Sequence, residues 1–134
     1  MDTGELVAGG AEGLRRIAEL VKGKGIPVEG AYLIKTTADE GSAFWRLRLI
    51  TNARSLQVIH AIVDLRREQK LPRIDPSVRV SGVLGDDTEA SRIIAYAQNA
   101  IERPVEIIDT PIDGLFVEYA LVADWPPASD RVAA

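Results

Sequence analysis

Three aspartates carry the densest chemical potential in this chain. Asp86 and Asp87 stand in the run Gly82-Val-Leu-Gly-Asp-Asp, between an apolar segment and a helical one, and Asp109 closes a later apolar segment. Carboxylates gathered at strand ends are hard oxygen ligands of the kind that hold Mg²⁺. Glycines beside a helix N-terminus let an anionic ligand approach the backbone. Asn52 and Arg54 occupy a second strand-to-helix junction, where a guanidinium would pair with an anionic substrate. Together these residues define one reading: a small metal-assisted enzyme working at the C-terminal ends of its strands, with a divalent cation as the single cofactor in view. The same residue types are also the ordinary choice for turns and caps. The spacing of Asp86 and Glu89 suits a capping box. The glycine loop is neither G-x-G-x-x-G nor a P-loop, because no Lys-Ser/Thr pair follows it.

Other catalytic chemistries are poorly supplied. The chain has no cysteine and one histidine, His60, so thiolate sites and multi-histidine metal centres are excluded within it. No G-x-S-x-G elbow occurs. Arg66, Arg67, Lys70 and Arg73 form a basic cluster without interleaved aromatics. The formal net charge is −4, so no global field favours nucleic acid. No apolar run approaches the roughly 20 residues of a membrane helix. The first residues lack the basic and apolar regions of a signal peptide, and the expected location is the cytoplasm.

These residues must be positioned by secondary structure. Leu14, Ile17, Ala18 and Val21 predict a helix over 11–22, and residues 1–10, with three glycines, are expected to fray. Ala31–Thr37 and the alternating Phe44–Thr51 predict a hairpin around the turn-like ADEGS. A second helix is expected from Ser55 to Lys70, with Leu56, Ile59, Ile62, Val63 and Leu65 as its apolar stripe and Thr51 or Asn52 as its cap. Val78–Val83 is a strand, Thr88–Glu102 a helix, and Val105–Asp109 and Leu115–Val122 a closing pair of strands. The WPPASDRVAA tail, 125–134, is expected to be disordered after a single domain over 1–124.

The element order α-β-β-α-β-α-β-β predicts an α/β fold of α+β-like character: a two-layer sandwich on a five-stranded mixed sheet. The simplest strand order is 1-2-3-4-5, with the second and third helices on one face. Period-two alternation then puts Trp45, Leu47, Leu49, Val78, Val80, Val105, Ile107, Val117, Tyr119 and Leu121 against those helices. The opposite face receives Arg46, Arg48, Glu106 and Glu118 beside Phe44, Ile50, Ile108 and Phe116. Bases on one half of that face and acids on the other suit a two-fold dimer. Phe44, Arg46, Arg48, Glu106 and Glu118 are therefore the expected interface.

The stretch Ile50–Ile62 (ITNARSLQVIHAI) resembles the strand-to-helix junction of ribosome-silencing-factor-like proteins. The βαββ order downstream departs from that family's pattern, and no residue role follows from the resemblance. With no complete catalytic motif and a half-apolar second sheet face, the sequence favours a non-enzymatic binding or interaction module that pairs with itself. The metal-assisted enzyme is the alternative.

Overall fold

The computed structural model describes residues 6–36 and 45–126. Its elements are α1 (Ala11–Gly23), β1 (Gly30–Thr36), β2 (Trp45–Ile50), α2 (Ser55–Arg67), β3 (Val78–Val83), α3 (Thr88–Gln98), β4 (Val105–Ile112) and β5 (Leu115–Asp124). All eight expected elements are present in the expected order. Their ends moved for local reasons. Helix α2 stops at Arg67 because Gln69 turns left-handed at φ 57°. Strands β4 and β5 run on to a tight two-residue turn, where Asp113 and Gly114 take φ 46° and 82°. Positive φ at both positions is what a primed hairpin turn needs.

The strand order is β3-β2-β1-β5-β4. β2 and β3 are parallel and joined through α2, and every other neighbouring pair is antiparallel. This corrects the order 1-2-3-4-5. The physical reason lies in β1, where Ala31, Tyr32, Leu33 and Ile34 are all fully buried. A strand that is apolar on both sides must be covered on both faces, and the centre of the sheet provides that. The β4–β5 hairpin accordingly seats against β1 rather than continuing beyond β3.

Helices cover both faces. α1 and α2 pack over Leu33, Leu47, Leu49, Val78 and Leu121. α3 packs on the reverse side over Tyr32, Ile34, Ile50, Val105, Ile107, Val117 and Val122. The second and third helices thus lie on opposite faces, contrary to the sequence expectation. That expectation rested on the order 1-2-3-4-5 and fell with it; the face expected for Val117 failed separately, because the pairing of β5 with β1 shifts between Lys35 and Thr36. A one-residue slip sends side chains to the other face. Val117 therefore belongs with α3 while Tyr119 and Leu121 belong with α1 and α2.

Both ends of the described chain contribute to the core. Leu6 and Val7 are buried, and Val7 bridges Ile74 ahead of β3, so order begins inside the segment expected to fray. Trp125 is buried against the α3 side, with the Arg103 guanidinium 4.0 Å above its ring. The folded body therefore extends past the expected boundary at 124. Residues 127–134 lie outside the described residues.

Candidate interaction surface

The three aspartates are dispersed. Asp87 caps α3: one carboxylate oxygen accepts the Glu89 and Ala90 N–H groups at 3.0 and 3.2 Å. The cap thus sits one residue later than the Asp86/Glu89 spacing suggested. Asp86 is exposed beside it. Asp109 lies on β4, at the far edge of the sheet, with three strands between it and β3. Among the described residues no group of three or more histidine, aspartate or glutamate side chains is placed to hold a metal ion. Asn52 is exposed, and Arg54 occupies the N-cap of α2, where its N–H donates to the Gln57 side chain at 2.9 Å. Thr51 shapes the approach to that helix by donating to the Pro27 carbonyl and accepting from Ala53 N–H. His60 is exposed on α2, near Lys24 and Asp64.

The expected dimer face is occupied from within the chain. Arg46 Nη2 pairs with Glu89 of α3 at 2.8 Å and donates to Thr36 Oγ1 at 3.1 Å. Arg48 Nη1 donates to Ser81 Oγ at 3.3 Å, and its Nε lies 3.6 Å from Glu89. Tyr32, fully buried, donates its hydroxyl to Glu89 at 3.0 Å. Burial pushes the Tyr32 phenol far above its ordinary pKa, and the Glu89 charge adds to the effect. A phenol held protonated and a carboxylate shared by two guanidiniums form a lock, fixing α3 to the sheet. Glu106 is not opposite these arginines: it accepts the Tyr119 hydroxyl on the other face. Glu118 is half-buried on β5, and Phe44 lies outside the described residues. Glu89 and Tyr32 were missed in the sequence because a capping position and an apolar run each supplied a sufficient local explanation.

Among the described residues an open surface lies at β3. Helix α2 is apolar on more than one side. Val58, Ala61, Ile62 and Leu65 turn into the core, whereas Leu56, Ile59 and Val63 face out at 67%, 47% and 38% exposure. The stripe read from sequence thus mixed an inward row with an outward one. Between the outward row and β3 runs a groove of about 360 Å³, walled by Ile59, Val63, Pro76, Val78 and Val80 with Arg66 at its rim. Gly82 allows the strand to lie this close to the helix, because a Cβ there would sit 3.0 Å from Val58.

The phase of β3 follows from one bond. Thr51 N–H donates to the Val83 carbonyl at 2.9 Å, so Val83 bonds towards β2. Main-chain groups alternate along a strand. Arg79 and Ser81 therefore bond inward as well, and Val80 and Gly82 turn their N–H and C=O outward. Six consecutive residues of β3 pair with β2 without a register shift. Among the described residues no strand pairs with the outer side.

No protein-family model matches the chain, and neither the curated proteins nor the solved structures yield a relative. The geometry of this surface therefore carries the functional reading by itself. Among the described residues no helix is long and apolar enough to cross a membrane.

Proposed function

We propose that this chain is a non-enzymatic protein-interaction module whose working surface is the outer edge of β3 together with the outward row of α2. The observation that carries the reading is the regular edge strand lying beside an apolar groove. An added strand would take the outward main-chain groups of Val80 and Gly82, and its alternate side chains would enter the groove, as in strand-addition recognition generally. Exposed contiguous apolar surface of this kind marks interaction sites. The dispersed carboxylates give no comparable support to the enzyme reading. A cysteine-free chain suits work in the reducing cytoplasm.

The test is amide NMR of the isotopically labelled chain, titrated with a capped ten-residue peptide alternating valine with threonine and glutamate. Shifts gathered on 78–83 and 56–66 are expected. Shifts elsewhere would overturn the proposal, as would none at millimolar peptide in a chain that is monomeric at the concentration used. Ile59→Asp should abolish the shifts while changing stability by no more than about 0.5 kcal/mol, as for other exposed substitutions.

A further inference from the structure

The outer edge of β3 is polar along its length in charge as well as in direction. Near its start stand Arg66 at the groove rim and the exposed Arg73, with Asp75 beside them. The Asp75 carboxyl is held by the Ser77 N–H and hydroxyl within its own turn. Just beyond its end stand Asp86 and Asp87, both exposed, with Arg54 at the neighbouring helix cap. One end is net basic and the other net acidic. Such an edge is complementary to itself when reversed.

We infer that the occupant of this surface is a second copy of the chain, its β3 antiparallel to the first across a two-fold axis through Ser81. The inference rests on the reading of β3 and α2 as the docking surface. The register follows from the outward groups. Val80 and Gly82 are the outward-facing residues in mid-strand, and Val78 already donates its N–H to the Asp75 carbonyl. The pairing that uses both is Val80 opposite Gly82 of the mate, in both directions, with Ser81 opposite its own copy. This joins the two sheets into one and abolishes the open edge. It also brings the end of the mate's β3, with Asp86 just beyond it, to the start of the first copy's β3, where Arg66 stands. An axis normal to the sheet leaves both α2 helices on the same side. Leu56, Ile59 and Val63 of the two copies then meet above the paired strands and fill the groove that each leaves open. An isologous contact needs each surface to match itself, and here main chain, apolar row and charge all do.

The chain contains no cysteine, so Ser81→Cys creates a single thiol on the axis. Opposed residues of a non-hydrogen-bonded antiparallel pair lie about 4.5 Å apart at Cα, within disulfide reach. Sedimentation should show a dimer at tens of micromolar, and mild oxidation should convert Ser81→Cys to a covalent dimer. Arg66→Glu and Asp86→Arg should each weaken association about tenfold, and the double reversal should recover most of it, as expected for a cross-interface charge pair. Circular dichroism of each variant separates weakened association from loss of the fold. A wild-type monomer at this concentration overturns the second copy as occupant, yet leaves the docking surface standing if the strand peptide binds β3. A dimer in which Ser81→Cys does not cross-link, or in which Ile59→Asp has no effect, overturns the arrangement described here. A dimer with no peptide response and no effect of Ile59→Asp overturns the docking surface too.

Discussion

The two edges of this sheet have been finished differently. At one side, β4 breaks its own ladder: Asp109 turns to φ 45° between the pairs Ile108–Tyr119 and Thr110–Val117, and Pro111 offers no N–H. Prolines, bulges and irregular backbone are common ways of keeping an edge from recruiting another strand. At the other side, β3 is regular over its six pairs with β2 and contains no proline. Exposed apolar side chains do not separate the two, because Ile108 and Phe116 near β4 are 57% and 41% exposed. The backbone separates them. An apolar residue beside a blunted edge is ordinary surface, whereas an apolar groove beside an open ladder is a place to dock.

The two halves also differ in how their helices are held. α2 lies against β3 by close apolar approach over Gly82, and α3 is tied down by the Glu89 lock. Gly82→Val should therefore produce the largest change, forcing α2 away from β3. The expected cost is roughly 1–3 kcal/mol in urea unfolding, the usual range for overpacking. Strand docking should fall with it while Tyr32 stays buried. Unchanged docking would mean that the spacing of α2 and β3 does not make the groove.

The other half answers to alkali. Tyr32 binds its proton more tightly when folded than when unfolded. Above the ordinary phenol pKa of about 10, the unfolded chain has lost that proton and the folded chain has kept it, so stability falls as pH rises. The slope approaches about 1.4 kcal/mol per pH unit there. Urea unfolding at successive pH values should show this loss in the wild type and a shallower one in Tyr32→Phe. Equal slopes would remove Tyr32 from the lock. The smallest effect concerns the guarded edge. Pro111→Val should alter stability by no more than about 0.5 kcal/mol, yet light scattering should detect slow association at high concentration. No difference from the wild type would place the guard at the Asp109 irregularity alone.

Much of the architecture was legible in the residues. Helical spacing in 11–22 and alternation in Phe44–Thr51 both act over a few residues, and the elements they announce formed there, α1 as Ala11–Gly23 and β2 as Trp45–Ile50. The element order and the mixed five-stranded sheet followed. One further signal was present and misread: the unbroken apolar run Ala31–Ile34 already marked β1 as a strand buried on both faces, hence central. The outward row of α2 was likewise written in the sequence, as more apolar residues than one buried stripe requires.

Tertiary structure alone decided which strands became edges, which face each arginine met, and where the acids went. A register shift between β1 and β5 moved Val117 to the α3 side and left Tyr119 behind, and no periodicity within either strand announces such a shift. Arg46 and Arg48 met Glu89 because α3 crossed to the far face, a choice set by the position of β4 rather than by any local preference. Asp86, Asp87 and Asp109 looked like one cluster as long as their strands were imagined side by side. They separated once β1 took the centre and β3 and β4 were sent to opposite edges. Local chemistry fixes what each segment is, and burial of the most apolar strand fixes where every other segment must go.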